Sequence, residues 1–195
     1  SAAVRKASQR YPDEWTKAAD DLGPLNVRYT KGRGWHWTSE QGVDKDGTRY
    51  RVGGGFGVKK VNHGEGFIVT DESSTAAHEY AHRLQSAIPE LDRIFNKIHE
   101  RRTAGDKLER LKDFFPTYNY RRNELTRKDG YYSPYMGKEY SHKPKGHEAA
   151  EVMTMALEPL IGQMGAMNAS RLIDLYHTDR ELLETTLGLL FHYRP

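Results

Sequence analysis

The chain predicts an α+β fold, and three observations carry that reading. Residues 25–70 hold short runs of β-branched and aromatic residues separated by Gly, Asp and Asn, the grammar of a small sheet with tight turns. From residue 73 onward, apolar residues recur at helical spacing with capping and stop residues between the runs. Where the two patterns meet stands His78-Glu79-Tyr80-Ala81-His82. At 195 residues the chain suits one well-packed domain, with a helix-plus-sheet region over 1–72 and a helical region carrying the site over 73–195.

Taken in order, Pro12-Asp13-Glu14 places proline and acids in a first helical turn and Gly23-Pro24 stops it, so residues 12–22 read as a short helix. Strands follow at Leu25 to Thr30, Thr48 to Val52, Phe56 to Val61 and Gly66 to Thr70. Asp46-Gly47 is the hairpin signal, and the expected sheet is twisted and mostly antiparallel. Ser73, Ser74 or Thr75 caps the next helix, which Ala76, Ala77 and Ala81 favour. Pro89 closes that helix or opens the next. Pro89 to about Lys112 reads as an amphipathic helix on Leu91, Ile94, Phe95, Ile98, Leu108 and Leu111, with Gly105 as a break. Residues 116–146 are rich in Tyr, Arg, Lys, Gly and Pro without a period, the mark of a long ordered loop, and such loops are usually functional. Helices return at about 147–164, with Pro159 as a kink or break, at 169–177 and at 179–192, the last with Thr178 and Glu181 as a capping box.

Composition narrows the function classes. Hydrophobic residues make up 36% and charged residues 29%, an ordinary balance for a soluble protein. No stretch approaches the ~20 apolar residues that span a bilayer, and no leader opens the chain. A net charge of +3 falls short of the basic footprint of a nucleic-acid binder. The start at Ser1 points to a processed product or a domain of something longer. With no cysteine, disulfides and thiolate ligands are excluded, so any zinc must be held by histidine and carboxylate, which points to a catalytic site.

The chemistry centres on His78, Glu79 and His82. Residues four apart lie one turn apart on one helix face, so two imidazoles reach one metal while Glu79 addresses its water. A catalytic zinc takes a third protein ligand. The metzincin positions hold Gln85 and Ile88, which excludes that subclass. An acid from a second helix is the remaining common solution, and the segment His147-Glu148-Ala149-Ala150-Glu151-Val152-Met153-Thr154-Met155 is the best source.

These motifs, together with Tyr135-Met136-Gly137-Lys138-Glu139-Tyr140, Glu151 to Glu158, Asp179-Arg180-Glu181 and Gly188-Leu189-Leu190, resemble the gluzincin branch of HExxH metallopeptidases. More narrowly, they resemble the metallopeptidase domains of phage head-associated proteins and polymorphic toxins. The likeness covers about the C-terminal two thirds, and only the first motif is specific by itself. It implies a zincin-like fold, with the sheet packed on the His78/His82 helix and a helical C-terminal half. It also implies Glu151 as third ligand; His147 and Glu148, just ahead, stay open as alternatives. Tyr140, with Tyr135 next, is the counterpart of the tyrosine that stabilises the oxyanion in toxin-like gluzincins, against a reading of both as loop packing.

The function implied is zinc-dependent hydrolysis of a protein or peptide substrate, with Glu79 taking the proton from water and passing it to the leaving amine. The likeness also implies a place in a larger polypeptide or phage particle. A structural or assembly protein with a metal site for folding is the alternative, and a nucleic-acid module using the basic aromatic loop is a weaker third. Gly53 to Lys59 lacks the ending of a phosphate loop and reads as a hairpin. Trp35-His36-Trp37 reads as aromatic packing. His63, His99, His142, His177 and His192 read as surface or structural residues, and the basic residues at 121–122, 127–128 and 143–145 as a solvated face.

Overall fold

The computed structural model describes residues 2–29, 34–38, 66–70, 73–140, 149–163 and 165–195. The expected strands at 48–52 and 56–61, the Asp46-Gly47 hairpin, Gly53 to Lys59, His63, His142, the 143–145 basic run, and His147 and Glu148 lie outside them. The fold is α+β, with eight α-helices and two small sheets among the described residues. The chain divides into two compact units, Ser1–Ile88 with Arg194–Pro195, and Pro89–Tyr193.

In the first unit, α1 (Ala2–Ser8) precedes α2 (Asp13–Asp21). Helix α1 is not anticipated above, although Val4, Ala7 and Tyr11 fall at helical spacing and are all buried. Strands β1 (Leu25–Tyr29), β2 (Trp35–Thr38) and β3 (Gly66–Thr70) form a sheet in the order β1-β3-β2. β1 runs parallel to β3, with Val27 opposite Ile68, and β2 runs antiparallel to it, with His36 opposite Ile68. Among the described residues the sheet is therefore mixed, where a mostly antiparallel one was expected. Parallel strands need a long connection between them, and 36 residues separate Tyr29 from Gly66. β3 is buried at every residue, as a central strand between two neighbours should be.

Helix α3 (Ser73–Ala87) packs on β3 and β2 and on α1 and α2. Ala76, Ala77 and Ala81 have no exposed surface, so four elements approach one helix closely. The Tyr11 hydroxyl donates to the Ala77 carbonyl at 3.0 Å. Arg83, 1% exposed, spans to the end of α2 and donates to the carbonyls of Ala19 and Gly23 at 3.0 and 2.8 Å, acceptors that a helix C-terminus otherwise leaves unfilled.

In the second unit, α4 (Pro89–Arg102) opens on Pro89, where a missing amide costs nothing. It buries Leu91 and Phe95 and stops before Gly105, whose φ of +91° lies in the left-handed region. The helix expected to reach Lys112 is thus shorter. Leu108 is exposed, and Leu111 is buried from a separate short helix, α5 (Leu111–Phe114). The long loop expected at 116–146 instead holds β5 (Leu125–Thr126), β6 (Lys138–Glu139) and a 3-10 turn at Pro134–Gly137, and the two strands form a small antiparallel sheet with β4 (Glu109–Arg110), which falls in the stretch read as helix. Strands of two residues carry too few positions to register as alternation.

Helix α6 (Ala150–Ile161) buries all but Leu160 and packs on α4, α7 (Ala166–Thr178) and α8 (Arg180–His192). A helix buried on every face is a core helix, and its charged residues, Glu151 and Glu158, have partners there. Pro159 lies inside α6 without breaking it, so of the kink or break expected from the sequence the break does not occur. Its missing amide would have bonded the Met155 carbonyl, and the Tyr132 hydroxyl donates there instead at 3.0 Å. The α8 cap also differs from expectation. Asp179, not Thr178, accepts from the Leu182 amide at 3.2 Å, while the Thr178 hydroxyl turns back to the Asp174 carbonyl. Both carboxylate oxygens of Asp179 also accept from Arg102 Nη1, at 2.7 and 2.6 Å. No helix among the described residues is long and apolar enough to cross a membrane.

Candidate metal centre

Helix α3 brings His78 and His82 onto one face, with ring centroids 5.0 Å apart and planes at 82°. The His82 Nδ1 lies 2.7 Å from Gln85 Oε1. Only an Nδ1–H can make that bond, so the amide oxygen selects the tautomer that presents an Nε2 lone pair, the form a metal needs. Glu79 is 5% exposed. Gly34, just before β2, approaches it so closely that a Cβ there would lie 2.8 Å from Glu79 Oε1 and would run into the Thr75 side chain. A side chain at position 34 would force Thr75, Glu79 or the strand itself to shift.

In the sequence His36 reads as aromatic packing. Its ring instead stacks toward His82, with centroids 6.1 Å apart and planes within 14°. Strand alternation puts it on the face opposite Trp35, but nothing in the sequence says what that face meets.

Glu151 lies in the first turn of α6 and is 1% exposed. A carboxylate so placed is costly unless hydrogen-bonded. Three hydroxyls serve it: Tyr135 donates to Oε1 at 3.0 Å, Tyr140 donates to the same oxygen, and Thr154 donates to Oε2 at 3.1 Å. Burial, and then the Glu151 charge, push both tyrosines well above the ordinary phenol range. They therefore stay protonated and act as donors. The start of α6 is held by Asn96 of α4, whose side-chain oxygen accepts from the Ala149 amide at 2.9 Å.

His78, His82 and Glu151 form a group that could hold a metal ion, their ligand atoms all lying within 4.8 Å of one another. Two imidazoles and one carboxylate are a donor set that zinc accepts, at bond lengths of roughly 2.0–2.2 Å. His99, His177 and His192 are not members of this group. His177 and His192 are exposed, and His99 is buried in α4 against Tyr131 and Glu139. Two further motif residues have structural partners, Asp179 capping α8 and Glu158 pairing with Arg171 at 2.7 Å. No family model matches the chain, and no curated protein or solved structure does.

Proposed function

We propose that the chain is a zinc-dependent metallopeptidase of the HExxH type, in the gluzincin branch, acting on a protein or peptide. The observation that carries the reading is the group of His78, His82 and Glu151, two imidazoles and a buried carboxylate with ligand atoms within 4.8 Å of one another. Zinc, when bound, supplies Lewis acidity, lowering the pKa of water to about 7 and polarising a carbonyl. The chain's own residues do the rest. Gln85 holds the His82 tautomer, and three hydroxyls hold the Glu151 carboxylate.

Glu79 stands next to His78 on the same helix and is largely shielded from water. In this reading its carboxylate accepts a proton from the attacking water and returns it to the leaving amine. Tyr140 and Tyr135 carry protons at neutral pH, which suits a hydrogen-bond donor to a developing oxyanion. Tyr140 is the candidate for that part, its one hydroxyl proton turning from Glu151 to the oxyanion as the charge develops.

The test is hydrolysis of a denatured-protein or mixed-peptide substrate by the zinc-loaded chain. Glu79→Gln is expected to lose at least ~100-fold in rate while binding zinc as tightly as the wild type. Tyr140→Phe is expected to lower kcat more than it raises KM. A metal-binding chain with no turnover, or an active Glu79→Gln variant, would remove the peptidase reading.

A further inference from the structure

We infer that Lys138 is a positioning residue for Glu151, acting through Tyr135 and Tyr140; the inference rests on the reading of Glu151 as a metal ligand. Lys138 leads β6, its side chain only 10% exposed. Its ammonium faces three tyrosine rings, 4.6 Å from the Tyr140 centroid, 5.2 Å from Tyr135 and 6.0 Å from Tyr120. It also donates to Glu124 Oε1 at 2.8 Å.

An ammonium is among the most strongly hydrated side-chain groups, and burying one is costly unless it is compensated. Pairing with Glu124 alone could be made at the surface. What burial adds here is contact with the faces of the two rings whose hydroxyls meet on Glu151 Oε1. A cation over a ring face is attracted to it, and it draws electron density from the phenol, which strengthens its O–H as a donor. It also fixes where each ring stands. With Tyr135 and Tyr140 anchored to one ammonium, and Thr154 on the other carboxylate oxygen, the Glu151 carboxylate has one orientation. Glu124 anchors the ammonium in turn, and its second oxygen accepts from the Arg121 amide at 2.7 Å. The order of support runs from Glu124 to Lys138, to the two tyrosines, to Glu151.

Outer partners of this kind are worth about 10–100-fold in metal affinity. The experiment is a zinc titration of the intact chain in competition with a chromophoric chelator. Lys138→Met is expected to weaken zinc about 10-fold, and Lys138→Arg, which keeps the cation, to recover most of that loss. In a Tyr135→Phe/Tyr140→Phe background, Lys138→Met should have no further effect, because the route to Glu151 is already cut.

Equal losses in both backgrounds, or wild-type affinity in Lys138→Met, would overturn the inference and leave the metal reading standing. A wild-type chain that binds no zinc would overturn both. If circular dichroism finds Lys138→Met unfolded, Glu124→Gln, which releases the ammonium from its anchor, takes its place in the same cycle with the same expectations.

Discussion

Replacing Tyr132 with Phe isolates one device that makes the core helix possible. Pro159 sits inside α6, and its lack of an amide would leave the Met155 carbonyl without its helical partner. The Tyr132 hydroxyl fills that role at 3.0 Å, and burial keeps its pKa far above the ordinary phenol value, so it donates throughout the working pH range. Met155 is 4% exposed, so water is a poor substitute. Orphaning a buried acceptor costs roughly 2 kcal/mol, which for a chain of this size is a fall in Tm of about 4–8 °C. Pro159→Ala restores an amide at the right place, and in that background Tyr132→Phe should cost less than about 0.5 kcal/mol. Thermal or urea unfolding of the four proteins measures the cycle. An equal cost for Tyr132→Phe in both backgrounds would refute the argument.

Asp179→Ala removes the α8 cap and one carboxylate from Arg102, which keeps Asp129 at 2.6 Å; a loss of about 2–3 kcal/mol is expected in urea unfolding, with less lost in Asp179→Asn. Burial, outweighing the contact with Glu139, holds His99 below the ordinary histidine pKa. The unfolded chain therefore binds this proton first, and stability is full above pH about 6.5 and falls as pH drops below it. His99→Gln should flatten that fall relative to wild type in unfolding series from pH 7.5 to 5, and an unchanged slope would assign it elsewhere. Gly34→Ala places a Cβ against Glu79 Oε1. On the proposed function it should cut hydrolysis about 100-fold with zinc affinity unchanged, and wild-type activity would show that Glu79 tolerates displacement.

Much of this architecture is written in the sequence because its signals are local. The helix at 73–87 follows from alanines and helical periodicity, β1 and β3 from β-branched runs, and the pairing of His78 with His82 from one helical turn. What the sequence concealed depends on contacts between distant residues. Pro159 reads as a kink or break until Tyr132, 27 positions earlier, supplies the missing donor. The Thr178 signature is a sound pattern for a cap, but Asp179 binds Arg102 as well, and serving both places the cap one residue later. The three hydroxyls on Glu151 come from three separate positions, two of them in a stretch whose two-residue strands leave no periodicity. His36 was set aside as packing because nothing in the sequence says which helix its strand will face.

The most direct test of the central claim is zinc stoichiometry of the purified chain by atomic absorption after dialysis, with Glu151→Ala, Glu148→Ala and His147→Ala in parallel. The account predicts one zinc per chain for the wild type, lost in Glu151→Ala and kept in the other two. A wild type without zinc, or a Glu151→Ala variant that holds it as well as the wild type, would contradict the assignment of His78, His82 and Glu151 as the metal centre.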